Sequence, residues 1–237
     1  MIKVAIIGRG NVATHLYEAL KNKAEVTLVN PHTLENMPEK PDIILISVSD
    51  RAISQVAAKI NDQIAVIAHT AGSVPMSILN DISRNFGVFY PLQTFTKGVA
   101  LDYSSIPVFI ESSNMETGNQ LKSLASLFSN KVVEADSEAR KKLHLASVFA
   151  CNFTNALAAI ADDILKDSGI QFDTIIPLME QTVNKLHYLS PRDAQTGPAV
   201  RGDKNVMDMH SSMLETNPQY QKLYSLLSNI IYNKNEI

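Results

Sequence analysis

The chain has one cysteine, Cys151, among its 237 residues. A single thiol excludes an internal disulfide and fits a reducing, cytoplasmic setting. Cys151 falls within an apolar helical pattern, so a small buried hydrophobe is expected there rather than a nucleophile. Excess charge is lacking too. A formal net charge of -3 and a pI near 6.1 offer nucleic acid no basic face. No apolar stretch approaches the ~20 residues of a membrane span, and the N-terminus has no signal-peptide organisation. Six histidines show no H-x-x-x-H spacing and C-x-x-C is missing, so no metal site is expected. There is no P-loop and no G-x-S-x-G elbow. With 45 % hydrophobic residues and a mean hydropathy of -0.01, the chain suits one large domain or two modest ones.

The most informative stretch lies at residues 2–13, IKVAIIGRGNVA. A β-branched apolar run leads at once into Gly8-Arg9-Gly10-Asn11-Val12-Ala13, which fits G-x-G-x-x-A. Val12, Leu16, Ala19 and Leu20 then recur at helical spacing. Strand, glycine turn and helix are the context in which this motif means dinucleotide binding. Gly8 allows the sharp turn, Gly10 lets a pyrophosphate approach the backbone, and Ala13 lets the helix pack on the strand. The helix N-terminus offers unpaired N–H groups to the phosphates.

Strands and helices alternate through the first half. Further strands are expected at 25–29, 43–47, 64–68, 86–90, 108–110 and 131–134. Helices are expected at 52–60 and 120–128, and residues 30–41, with three prolines, form an irregular link. This predicts a doubly wound α/β sheet, Rossmann-like, over residues 1–135. Residues 136–237 then read as an all-α domain. A helix over 137–167 would be on the order of 45 Å long, with Gly169 as its cap. Helices at 173–189, 203–215 and 217–232 follow, with an aperiodic loop at 191–202. So long and apolar a helix predicts a homodimer built on the helical domain.

NAD-preferring sites carry an acid at the end of the second strand. Here Asn30 stands at that point, which favours NADP while leaving NAD possible. The expected arginine after it is missing, and Arg9 is the nearest cation; the alternative role for Asn30 is that of a turn residue at the strand end. Ser47-Val48-Ser49 and Thr70-Ala71-Gly72 end strands on the same edge and would line the cofactor crevice.

Three polar groups bear on substrate. His144, Asn152 and Asn155 interrupt the long apolar helix and share one arc at about 100° per residue. They either tie the helix to a neighbour or face the nicotinamide, His144 then being the proton donor. The loop from Gln195 to Asp203 is rigid and polar. Its Arg201 could clamp a substrate anion or fix the loop by a salt bridge, and Thr196 lies beside it. Gln93 sits in the cleft-edge segment Tyr90-Pro91-Leu92-Gln93-Thr94-Phe95. Catalytic candidates are therefore His144, Asn152 and Arg201, and substrate candidates Gln93, Asn155 and Thr196.

GRGNVATHL, AHTAGSV, YPLQTF, HLASVFACN and above all TGPAVRGD resemble a family of two-domain Rossmann proteins. Its C-terminal helical domain has no assigned function. In layout it is similar to pyrroline-5-carboxylate reductases, ketopantoate reductases and deazaflavin-linked NADP reductases. That resemblance implies NAD(P)-dependent oxidoreduction and a dimer built on the helical domain. One departure stands out. The Lys-x-x-x-Asn pair of the ketopantoate and hydroxyacid enzymes is missing, because Val148 follows His144 by four residues. The expected function is an oxidoreductase for a small polar metabolite, with its active site between the domains. The alternative is a dinucleotide-binding sensor or scaffold that does not turn over.

Overall fold

The computed structural model describes residues 1–61 and 64–233. By compactness the chain divides into two units, residues 1–152 and 153–237.

Seven strands form the sheet of the first unit. They are β1 (Lys3–Ile7), β2 (Glu25–Val29), β3 (Ile43–Ile46), β4 (Val66–His69), β5 (Phe86–Pro91), β6 (Val108–Ser112) and β7 (Val132–Glu134). Their order is β2-β1-β3-β4-β5-β6-β7. All neighbours are parallel except β5 and β6. Alternate residues of each strand enter opposite layers. Val4, Ile6, Ile43 and Leu45 pack under α1 (Asn11–Leu20) and α3 (Met115–Ser126). Ala5, Ile7, Ile44 and Ile46 pack under α2 (Ile53–Ala57). Burial on both faces is why these strands read as unbroken apolar runs. This is the doubly wound, Rossmann-like architecture expected.

Strand β1 has β2 on one side and β3 on the other. The chain thus winds in opposite directions from β1, and the strand ends diverge into a crevice there.

Several boundaries differ from expectation. Helix α2 is short and follows a 3-10 turn at Asp50–Ala52. Helix α3 begins five residues early because Asn114 caps it, its side-chain oxygen accepting from Thr117 N at 2.9 Å. The irregular link holds as expected, with Leu34, Asn36 and Lys40 at positive φ. The loop at 191–202 contains a short helix, α7 (Pro198–Arg201), started by Gly197-Pro198 and stopped by Gly202 at φ 65°.

The long helix spans Ser137–Leu165. It consists of α4 (Ser137–Ser147), a π segment at Val148–Phe153 and α5 (Thr154–Leu165). Two expectations are corrected here. Cys151 is exposed, not buried. An 18-residue window with mean hydropathy 1.4 also makes this helix long and apolar enough, by composition, to cross a membrane. His144, Asn152 and Asn155 break the apolar run without adding much charge, which hides it from a search for consecutive apolar residues.

Helix α4 begins on a polar anchor. The Asp136 side chain caps it at Ala139 N, 2.7 Å. Arg140 is fully buried and ion-paired with Glu111 of β6. Arg140 Nη2 also donates to Val74 O at 2.6 Å. Glu111 accepts from Ser137 N at 3.0 Å and from Ser137 Oγ at 2.8 Å.

The second unit adds α6 (Ile176–Asn184), α8 (Lys204–Met213) and α9 (Pro218–Tyr232). Asp203 and Asn217 cap α8 and α9 as their positions predict. Among its described residues only Ala194 and Ala199 are buried. Leu178, Val183, Met213 and Leu226 are all more than half exposed.

Breaking the buried pair should be costly. Arg140→Met strands the Glu111 carboxylate and is expected to cost about 3 kcal/mol. The double variant Arg140→Met with Glu111→Gln should recover part of that loss. Urea unfolding checks both; a single variant as stable as wild type would show that the pair anchors nothing.

Candidate nucleotide site and its polar pair

A cavity of about 650 Å³ opens where the sheet changes direction. The turn after β1 contributes Arg9, Gly10, Asn11 and Val12, and the end of β3 contributes Ser47, Val48, Ser49 and Asp50. The end of β4 adds Thr70, Ala71 and Gly72, and β5 adds Tyr90 and Pro91, followed by Gln93. His144 comes from α4, and Pro31 and His32 follow β2. From β2 to β5 is four strand spacings, about 19 Å at ~4.8 Å each. That is a groove for an extended ligand, not a compact one.

The two motif glycines divide their roles. A Cβ on Gly8 would lie 2.0 Å from the Ser47 carbonyl oxygen, and φ there is +151°. Gly8 is thus needed for β1 to pass β3, and it sits behind the cavity rather than in it. A Cβ on Gly10 would meet nothing within 4 Å. Gly10 leaves open space in front of α1, whose N-terminus carries no side-chain cap and no acid in its first turn. An uncapped helix end facing a cavity suits an anionic group. The segment after β5 braces this turn. Asn11 Nδ2 donates to Phe95 O at 2.8 Å and Lys97 Nζ to Arg9 O at 2.6 Å. Buried His15 bridges Thr96 O, 2.8 Å, and Tyr103 Oη, 3.0 Å.

Asn30 is placed behind this lining. Its side-chain oxygen accepts from His32 N at 3.0 Å, so it works as a turn residue. No carboxylate replaces it at the end of β2. Ser47 and Thr70 are buried and bonded to each other, Oγ1 to Oγ at 3.3 Å.

At the β5 side Tyr90 Oη lies 3.1 Å from His144 Nδ1, with the rings edge to face. A Cβ on Gly72 would come within 2.7 Å of His144 Nδ1 and 2.8 Å of Tyr90 Cζ. Gly72 therefore makes room for the pair above the β4 turn. Burial raises the Tyr90 pKa; Arg140 opposes that and Asp50 adds to it. A second cavity, about 500 Å³, shares Tyr90, Gln93 and His144 and adds Ser147, Cys151 and Asn152. Gln93, His144 and Asn152, three of the residues expected to share one cleft, line this cavity. Tyr90 was missed as a site residue, although its segment was legible. Its signal was available: next to buried Phe89, it takes the opposite face of β5.

Asn155, Thr196 and Arg201 belong to the second unit. Arg201 is exposed and makes no ion pair among the described residues, so the loop-fixing salt bridge is not found. The shared arc of His144 and Asn155 needs correction. A uniform 100° step does not survive the π segment between them. No cluster of three metal-ligating side chains occurs among the described residues.

Residues 106–231 match the family described as a domain of unknown function, DUF2520. A protein from Bacteroides fragilis, provisionally described as an NADP oxidoreductase, is 38% identical over 98% of each chain, with a TM-score of 0.89. The chain belongs to the DUF2520 family. A Thermotoga maritima protein is similar at 22% identity over 96% of both chains, TM-score 0.74. An imine reductase from Myxococcus stipitatus, solved with NADP+, shares the fold at 12% identity. It covers 97% of this chain and 92% of its own, with a TM-score of 0.66. No curated protein matches the sequence. The DUF2520 match starts at β6 and takes in the anchor of α4, His144 and TGPAVRGD.

His69, at the end of β4, is wholly buried beside this site. It accepts from Ala71 N at 3.2 Å. Burial, and secondly the Arg140 charge, lower its pKa to about 4 from the usual 6.5. Between those values the unfolded chain binds a proton that the folded chain refuses. Stability should therefore fall as pH drops from about 6.5 to about 4. His69→Gln should flatten that decline in thermal melts taken across the interval. An unchanged slope would mean that His69 titrates normally.

Proposed function

We propose that this protein is an NADP(H)-dependent oxidoreductase acting on a small polar metabolite, with NAD as a weaker cofactor. One observation carries the reading: a single groove joins an uncapped helix N-terminus behind Gly10 to the Tyr90–His144 pair. The Bacteroides fragilis relative, provisionally described as an NADP oxidoreductase, supports it. The first N–H groups of α1 would hold the pyrophosphate, and Ser47–Ser49 and Thr70–Gly72 would flank the rest. When bound, the nicotinamide supplies a hydride. The protein supplies the proton. With the Tyr90 hydroxyl donating to His144 Nδ1, the ring carries its proton on Nε2 and can give it to a substrate oxygen or nitrogen. Tyr90 passes its own proton to Nδ1 in the same step, so the imidazole stays neutral and the negative charge ends on the Tyr90 oxygen. Gln93 and Asn152 would orient the substrate in the adjoining cavity. Asn155, Thr196 and Arg201 stand as further candidates, Arg201 as an anion clamp.

We read the second unit as the homodimer interface. A unit with two buried alanines has no core of its own among the described residues. Exposed Leu145, Phe149 and Phe153 extend the apolar surface along the long helix. A second copy of this chain fits better than lipid, because the same helix sets two polar side chains, His144 and Asn152, along a cavity of the site. A cytoplasmic location follows from this reading and from the lone, exposed thiol.

Titration calorimetry should show NADPH binding more tightly than NADH. Gly10→Val should abolish both without lowering stability, since its Cβ meets only open space. In a survey of small ketones and imines, His144→Gln should slow NADPH oxidation by ~10²–10⁴-fold. Binding without any turnover would favour the sensor; binding of neither nucleotide would remove the proposal.

Light scattering should give twice the 26.1 kDa chain mass at micromolar concentration. A monomer of that mass would contradict the dimer, and partition into liposomes would point to a membrane.

A further inference from the structure

We propose that Lys59 reads the adenosine 2′-phosphate and so sets the preference for NADP over NAD. The inference rests on the NADP(H) reading of the groove and adds the residue that selects the nucleotide. Lys59 lies beyond α2, 27 positions from His32 in sequence, yet its Nζ donates to His32 O at 3.0 Å. Both residues line the groove, with Pro31 between them and the end of β2. That is where a doubly wound fold holds the adenosine ribose.

The chemistry of this corner suits a phosphate monoester. An ammonium carries three N–H donors and no acceptor. His32 O takes one, which holds Nζ in place and leaves two to donate. Lys59 makes no ion pair among the described residues. The position that would bear a ribose-binding acid holds Asn30, whose side-chain oxygen is occupied by His32 N. Among the described residues Asp50 is the one carboxylate along the groove lining, and it accepts from Ser73 Oγ. Arg9 also lines the groove, but it sits in the glycine turn, nearer the pyrophosphate position. Lys59 supplies the cation missing from the sequence directly after Asn30.

Calorimetric titration of NADP+ and NAD+ into wild type, Lys59→Met, Lys59→Glu and Arg9→Met tests this. Wild type should favour NADP+. Lys59→Met should weaken NADP+ about tenfold or more and leave NAD+ unchanged, as expected for one charged contact. Lys59→Glu should reverse the preference by repelling the phosphate. Lys59 is exposed, and thermal melts should confirm that both variants fold. An unchanged NADP+/NAD+ ratio in both Lys59 variants, with both nucleotides still bound, overturns this inference alone. A ratio that moves in Arg9→Met instead also overturns it and assigns the phosphate to Arg9. No binding of either nucleotide to wild type overturns both this inference and the function proposed above.

Discussion

The buried ion pair between Arg140 and Glu111 is the constraint on which the site depends. Two charges out of water are a poor bargain unless every polar contact is met. Here most are: Glu111 takes both the N–H and the hydroxyl of Ser137, and Arg140 reaches Val74 O. The first turn of α4 is thereby fixed to β6 and to the segment after β4. His144 lies four residues beyond Arg140, on the same helix face. It consequently arrives beside Tyr90 and above Gly72. An apolar anchor could hold the helix as firmly. A charged one also fixes its rotation, because the guanidinium has one set of acceptors to satisfy.

The groove itself is a consequence of winding order. With β2 and β3 on opposite sides of β1, the loops leaving β1 and β3 separate and leave space between them. Gly8 keeps that junction tight by letting its backbone pass the Ser47 carbonyl. Gly10 keeps the space in front of α1 empty. One glycine allows a close backbone passage and the other leaves space open, although the motif spells them alike. The fold then places the uncapped N-terminus of α1 and the Tyr90–His144 pair along one groove.

Legibility in the sequence followed the range of the interactions. Strands buried on both faces announce themselves as apolar runs, so strands were readable at 43–47 and 64–68 without a partner, and they lie at 43–46 and 66–69. Local caps were readable for the same reason: Asn217-Pro218 marks the start of α9, and Asp203 marks α8. Arg140 was not readable, because its acceptors on Glu111 and Val74 lie 29 and 66 positions away. Lys59 was missed likewise, since only folding brings it to His32. The π segment leaves no mark in a helical wheel, yet it alters the face on which every later residue falls. Cys151 was expected to be buried because an apolar pattern specifies a covered face without naming what covers it.

In the proposed reading one dinucleotide spans this groove with its reactive end at Tyr90 and His144. A crystal structure of the protein saturated with NADP+ tests it most directly. The pyrophosphate should lie over Gly10–Val12 and the nicotinamide C4 within about one hydrogen-bonded layer of His144. A nucleotide bound in the reverse direction, or outside the groove, with Tyr90 and His144 left in contact only with each other, would contradict it.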